Sequence, residues 1–551
     1  MPRTVSLRYL YIYEVRHTGR TLRGENLFGG QRVNRYENLP RDCALRIANF
    51  YPLLTAPIFP VNIELSSQVW YHITKVKKKG FSVMSKPLPK RKMYRYCLAD
   101  IAKGLFTGMI SNYLLYFFQP TAKSGLPQLL PENKFLGFIT IMAFITALGK
   151  IVDAVTDPLV ASLSDKCTHK AGRRMPFLRY AALPYAASVI LIFYAPFEQG
   201  SFLNAIWVGF FLISYYAAYT FFFIPRNALV PEIIPDAKVR VGYYGMSTVF
   251  FMGSSSFMYA ATLFVDILKN AGLSPLWAWR SVFTVFALIG IVCLLLSSYA
   301  FEEKDYVDSN VKPKESMLRS FSMVFRNKQF VVFSFGDLFS GVSMAFFQTA
   351  MLYYITMLLN VPESQSFLVM LCAIAVAICL FPLIIRISRK YNKKLPLVIA
   401  SIVFTVVFGL IYFGDKIAAL APGNELFVGL AMGVFVSFPF AAINILPQSV
   451  ISDLIQQDCL ETGVNREGIF SAVKTFIEKI ASAIAMMGVS SILAVGAVQG
   501  ESVGLQGVKL TGVFAGIFSL LSLVFFILYN DKKVTELIEL HRKHTDSTEE
   551  E

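Results

Sequence analysis

Lys150-Ile-Val-Asp153-Ala-Val-Thr156-Asp157-Pro158-Leu-Val-Ala-Ser-Leu-Ser-Asp165-Lys-Cys-Thr-His-Lys170-Ala-Gly172-Arg173-Arg174 is the stretch on which the fold turns. It starts inside an apolar run and leaves it through a short basic turn. An ionisable side chain inside such a run costs several kcal/mol by most estimates, so each one marks a functional site by default. Asp153 and Asp157 are four apart, which puts both on one helical face with about 6 Å of rise between them. With the Thr156 hydroxyl and carbonyls freed near Pro158, that face offers the oxygens a hard monovalent cation needs. Two close carboxylates are equally suited to sharing a proton. The structural alternative is a fixed bridge to Lys150 or to a cation on another helix.

The rest of the composition says what surrounds this helix. Of 551 residues, 55% are hydrophobic and 16% charged, with 49 Phe, 26 Tyr and a mean hydropathy of +0.53. Soluble chains carry about 25% charged residues, so the main solvent of this chain is lipid; disorder, a coiled coil and a disulfide scaffold are excluded. The net charge of +16 is concentrated in residues 1–96, which hold eighteen Lys and Arg against five Asp and Glu. A basic arm before a nearly neutral apolar body fits a juxtamembrane segment and no nucleic-acid partner. The seven cysteines are scattered without CxxC, and the five histidines lie outside the apolar stretches, which predicts free thiols and no metal centre or cofactor. No HExxH, GxSxG or P-loop spacing supports a membrane enzyme.

A run of about 20 apolar residues spans a bilayer as a helix. Twelve are expected, near 97–118, 135–163, 177–196, 202–229, 241–267, 280–301, 329–357, 364–387, 395–414, 426–450, 467–498 and 510–530. Basic residues crowd alternate connections: Lys166 to Arg174, Lys304 to Lys328, and Arg386 to Lys394. By the positive-inside rule those connections and both termini are cytoplasmic. Asp100, Gly104 and Tyr116 recur 237 residues later as Asp337, Gly341 and Tyr353, and the Asn227/Asp236 pair recurs as Asn444/Asp453. A six-plus-six parallel repeat follows. The expected organisation is a basic extension over 1–83, poorly ordered or upstream of a true start at Met84; a six-helix bundle over 84–301; a central cytoplasmic loop over 302–328; a second bundle over 329–530; and a cytoplasmic tail over 531–551.

Further charged side chains fall within the runs. On the eleventh, Lys474 and Glu478 are four apart and can neutralise each other. Lys479 is left over, a reciprocal partner for the surplus acids of the second helix. On the fourth, Phe223-Ile-Pro225-Arg226-Asn227-Ala-Leu-Val-Pro231 bends where prolines remove donors, so Arg226 and Asn227 are candidates for gripping an anionic or hydroxylated solute. Arg226 equally fits a gate bridge or a snorkel to lipid phosphate, and Lys103 on the first helix has the same ambiguity. Thr220, two turns before Asn227, is a further cation ligand.

An acid followed by Gly172-Arg173-Arg174 in a tight turn after Asp165 resembles the signature loop of the major facilitator superfamily. The preceding Asp-x-x-x-Asp-Pro is similar to the glycoside-pentoside-hexuronide:cation symporter family, over about Tyr94 to Asn530. The resemblance implies an all-α integral membrane fold of twelve transmembrane helices in two six-helix bundles, rocking around a midplane site. It implies a monomer in the plasma (inner) membrane, carrying a small-molecule solute, in particular a sugar, with Na+ or H+ as coupling ion. By the family's pattern Asp153, Thr156, Asp157 and Thr220 match the sodium site, Lys479 the helix-eleven lysine and Lys103 a basic residue of helix one. Positions that hold sugar-binding carboxylates in the family's galactoside carriers are Gly104 and Phe223 here, so the galactoside grip is lost. A lysolipid-like solute and a transporter-like sensor are the rival expectations.

Overall fold

The computed structural model describes residues 88–131, 134–135, 139–234, 237–306, 324–420, 422–462, 467–498 and 501–538. The expectation for residues 1–83, most of the central loop and the end of the tail lie outside them. The described residues belong to one compact unit beginning at Pro87.

Twelve long helical segments follow one another among the described residues. α1 runs Lys90–Gly108 and continues through a π turn, Met109–Tyr113, into Leu114–Phe118. α2 is Ile141–Lys166, α3 Met175–Phe193 and α4 Phe202–Ile233. α5 is Ala237–Phe257, carried on by Ala261–Asn270, and α6 is Pro275–Ser298. α7 is Lys328–Tyr353 with a π turn Tyr354–Leu358; α8 is Ser366–Lys390 and α9 Lys394–Tyr412. α10 is Glu425–Thr462, α11 Glu467–Leu493 and α12 Leu505–Leu528.

Helix starts follow local chemistry. Thr140 Oγ1 accepts from the Ala143 N–H at 3.1 Å and Asn327 Oδ1 from that of Phe330 at 3.1 Å, each satisfying a donor with no partner in its helix. α2 therefore begins later than 135, because Lys134–Phe135 pairs antiparallel with Ile139–Thr140 in a small hairpin instead. α10 runs twelve residues past the expected 450. Its last turns are polar, and Asp453 there pairs with Lys393 at 2.5 Å, so the helix continues beyond the apolar layer.

Ten of the helices are long and apolar enough to cross a membrane. The two that fall short are α1, which carries Asp100, Lys103 and Asn112, and α2, which carries Lys150, Asp153 and Asp157. Their polarity is one-sided. On α2, Ile151, Val155, Leu159 and Leu163 are each more than half exposed while Asp153 is buried; the helix turns its apolar stripe outward and its charges inward, as a lipid solvent requires.

The helix contacts repeat. α1 packs on α5 and α6, α2 on α4, and α3 on α4 and α6; α7 packs on α11 and α12, α8 on α10, and α9 on α10 and α12. Adding six to each member of the first set gives the second. The halves meet where α2 packs on α11 and where the outer part of α5 reaches α8, a pair of contacts exchanged by the same relation.

Candidate cation and solute site

The charged face of α2 meets α11 at the seam between the halves. Lys479 Nζ lies 2.8 Å from Asp153 Oδ1 and 2.6 Å from Asp157 Oδ2, and donates to the Asp153 carbonyl at 3.3 Å. From α4, Thr220 Oγ1 lies 3.3 Å from Asp153 Oδ1 and 3.1 Å from Asp157 Oδ1. Thr156 Oγ1 is 3.4 Å from Thr220 Oγ1 while donating to the Val152 carbonyl at 2.9 Å. Two carboxylates and two hydroxyls thus converge from α2 and α4 on one place, and the ammonium of the other half sits against them. Thr156, Thr220 and the acids form an oxygen set suited to a hard monovalent cation; among the described residues no His/Cys/Asp/Glu cluster suits a transition metal.

This cluster forms part of the wall of an open cavity bounded by α1, α2, α4, α5 and α11. Lys103, Asn227, Thr475 and Ser482 line it together with Tyr215, Tyr216, Tyr219 and Phe223. Lys103 Nζ stands 5.0 Å from the ring centroid of Phe251, 5.5 Å from that of Phe223 and 5.9 Å from that of Tyr219. These ring faces favour an ammonium. Lys150 Nζ lies over Tyr216 at 4.6 Å. Lys474 pairs with Glu478.

Arg226 goes elsewhere. It is 2% exposed, and its guanidinium donates to Asp100 Oδ1 at 3.0 Å and Oδ2 at 2.7 Å, to the Tyr96 carbonyl at 3.0 Å and to the Tyr243 hydroxyl at 2.9 Å. The expectation that Arg226 grips solute is therefore corrected. The bidentate Asp100 carboxylate of α1 answers its charge, and the pair ties α4 to α1 and, through Ser247 on Asp100 at 2.6 Å, to α5. Neither the Asp100 bridge nor the aromatic ring set around Lys103 was identified from the sequence. One Asp and one Arg inside the apolar runs of the first and fourth helices was the available signal for the first.

The signature loop braces the ends of α2, α3 and α4. Arg173 Nη2 lies 3.1 Å from Glu232 Oε2 and Arg174 Nη1 2.8 Å from Glu232 Oε1. Gly172 has φ +113°, a left-handed geometry that favours glycine, and a Cβ there would collide with Glu303. Glu303 Oε2 accepts the N–H groups of Arg174 and Met175 at 2.8 and 2.9 Å, a carboxylate at the positive end of α3. Asp165 is in the last turn of α2; its side chain lies outside the described set. On the other half Lys393, Asp453 and Asp531 form the corresponding brace, the Lys393 N–H meeting Asp531 Oδ2 at 2.9 Å.

At the opposite end the halves are sealed by neutral groups and one ion pair. Gln119 Nε2 donates to the Ser490 carbonyl at 3.1 Å, and Ser490 Oγ to Gln119 Oε1 at 2.8 Å. Thr140 Oγ1 is 2.7 Å from Ser490 Oγ, and Tyr353 OH donates to the Gln119 carbonyl at 2.9 Å. Lys269 and Glu363 add an ion pair at 2.8 Å.

Two repeated six-helix halves around a central polar cavity, closed at one end, define a multi-pass secondary transporter. Residues 95–530 match the family described as MFS/sugar transport protein, and the chain belongs to that family, one of transporters and not of enzymes. It is 22% identical over 468 residues to the lactose permease of Lactobacillus helveticus, covering 81% of this chain and 70% of that one. It is 22% identical over 469 residues to the isoprimeverose transporter of Lactiplantibacillus pentosus, covering 83% and 92%. A solved D-xylose-proton symporter superposes with a TM-score of 0.54 at 14% identity, over 80% of this chain and 98% of that one, which carries the fold alone.

Proposed function

We propose that the chain is a cation-coupled symporter that moves a sugar or glycoside by alternating access. The observation that carries this reading is the Lys479 ammonium held between Asp153 and Asp157 in the wall of a cavity at the seam of the halves. A tethered cation stands where a free one is to bind, so Na+ or H+ must displace it. Displacement breaks the α2–α11 contact that joins the halves, and by linkage solute and cation then raise each other's affinity. Asp153, Thr156, Asp157 and Thr220 are the cation set; Lys103, Asn227 and the released Lys479 face the solute.

In this reading both termini and the open end of the cavity face the cytoplasm, with 302–328 as the central loop and 531–551 as the tail; the positive-inside bias of the basic connections supports it. The protein acts as a monomer in the plasma (inner) membrane with lipid around it. The lysolipid and sensor readings have no support from the lactose permease and isoprimeverose transporter relatives, both named for sugars.

The test is solute uptake into proteoliposomes with Na+ and pH gradients imposed separately. Uptake driven by one gradient and abolished by Asp157→Cys is expected. Uphill uptake at full rate in that variant makes the α2 carboxylates structural.

A further inference from the structure

The two halves answer the same acid in different ways. In the first, Asp100 of α1 is held by Arg226 of α4 and by the Ser247 hydroxyl of α5 at 2.6 Å. Its counterpart on α7 is Asp337, which is 9% exposed. By the offset that relates Asn227 to Asn444, the place of Arg226 is taken on α10 by Ile443, so the guanidinium is gone. The Asp337 carboxylate has no hydrogen-bond or ion-pair partner among the described residues. A buried carboxylate without a counter-charge takes up a proton.

The place of Ser247 is filled differently. A Cβ on Gly104 would meet Ser254 of α5, and one on Gly341 would meet Ala481 of α11. The buried Tyr243 and Met258 of α5 likewise recur as the buried Phe470 and Ala485 of α11, each pair being 227 residues apart. That offset carries Ser247 to Lys474 and Phe251 to Glu478. Lys474 therefore stands where Ser247 reaches its acid, with a longer side chain. In this structure it is turned to Glu478 of its own helix, whose side chain is 56% exposed in the cavity wall. The charges of both act on Asp337. Of the other helices packed on α7, α12 presents Ser522, Phe525 and Phe526 at this level, with its Lys509 paired to Asp415. α10 has no ionisable residue between Glu425 and Asp453, and Asp453 is paired to Lys393.

We propose that Asp337, Lys474 and Glu478 form a proton site of the second half, separate from the α2 cation set: Asp337 stores the proton, Glu478 is its port to the cavity, and the Lys474 ammonium holds whichever acid is ionised. In this structure the proton is on Asp337 and Lys474 is on Glu478, within one helix. Release of the proton from Asp337, by way of Glu478 to cavity water, brings Lys474 between the two carboxylates and ties α11 to α7, as Ser247 ties α5 to α1. Because α11 also carries Lys479 at the seam, the proton sets how firmly that helix is fixed to its own half. The site depends neither on the solute nor on the ion that the α2 set takes.

The test is infrared difference spectroscopy of the full chain in lipid vesicles, without solute, between acid and alkaline pH. Expected is a protonated-carboxyl C=O band that disappears as pH rises, is absent from Asp337→Asn and persists in Asp157→Asn. Lys474→Gln removes the ammonium, so Asp337 should hold its proton at least tenfold more tightly, a midpoint about one pH unit or more higher. Glu478→Gln, a change on the open wall, frees Lys474 for Asp337 and should weaken the proton's hold at least tenfold. Both of these variants keep Asp337, so the outcome does not hinge on the folding of Asp337→Asn. No such band in the parent, a band that survives Asp337→Asn, or a midpoint that either Lys474→Gln or Glu478→Gln leaves unmoved overturns the proposal, and the symporter reading stands.

Discussion

Tyr116 of α1 and Tyr353 of α7, separated by 237 residues, face each other across the seam with ring centroids 5.3 Å apart. They are equivalent positions of the two halves, so the contact lies on the relation that exchanges the bundles. Tyr353 also donates to the Gln119 carbonyl, which joins the ring pair to the seal formed by Gln119, Ser490 and Thr140. The closed end is thus held by a tilted ring contact, neutral hydrogen bonds and the one Lys269–Glu363 ion pair.

The seal should be easily loosened. Gln119→Ala removes two buried hydrogen bonds, each contributing roughly 0.5–1.5 kcal/mol, so the equilibrium should shift by about 2 kcal/mol toward opening at that end. A cysteine introduced at Ser111 in the cavity reports it. Its labelling by an impermeant maleimide from the side opposite the basic loops should accelerate by roughly tenfold to thirtyfold. An unchanged rate places the seal elsewhere.

Lys479→Gln separates two steps of the cycle. Without the ammonium, Asp153 and Asp157 keep a bound cation more tightly, and cation affinity should rise tenfold or more. The empty carrier then holds two close carboxylates with no counter-ion, a costly state, so its return is slow. Net uphill uptake should fall at least tenfold, while exchange of labelled for unlabelled solute, which needs no empty return, should fall much less, by the lost Lys479 contact to solute alone. Equal loss of both makes Lys479 a solute ligand alone.

Much of this is legible in the sequence. Apolar runs, alternating basic loops and the 237-residue offset were enough for twelve helices in two repeated sets, because hydration cost and positive-inside bias act on single residues. The Asp pair on α2 and the surplus Lys479 were visible for the same reason. What stayed hidden depends on which groups meet. Gln119 and Ser490 are ordinary polar residues in sequence, and only the fold brings them within 3.1 Å. The proline-bent end of α4 leaves Arg226 open in sequence between solute ligand, gate bridge and snorkel, and only the fold turns it toward Asp100 on α1. The end of α10 lies past the apolar run because its last turns are polar, with Asp453 paired to Lys393, and an apolar-run criterion does not see such a continuation.

The brace at the basic face should respond to its carboxylate. Glu303 is 2% exposed and accepts two N–H groups at the start of α3. Glu303→Gln keeps the shape and removes the charge, so the loss should be about 1 kcal/mol, from the helix dipole and charge-assisted bonds. Gly172→Ala adds a clash and a left-handed strain and should cost more. Thermal unfolding in detergent should rank parent, Glu303→Gln and Gly172→Ala in descending order.

The Asp100–Arg226 bridge provides the sharpest separation of structure from transport. Asp100→Asn leaves a guanidinium, 2% exposed, without its counter-charge, and breaking a buried pair from one side costs about 3–5 kcal/mol. Removing both partners together, as Asp100→Leu with Arg226→Met, leaves no bare charge and can be close to neutral. Folded yield and melting temperature should therefore fall in Asp100→Asn and largely recover in the double variant. If Arg226 only ties α4 to α1, gradient-driven uptake recovers with the fold. A double variant that is stable and yet fails to bind solute would return Arg226 to the solute site, by way of a conformation in which it leaves Asp100.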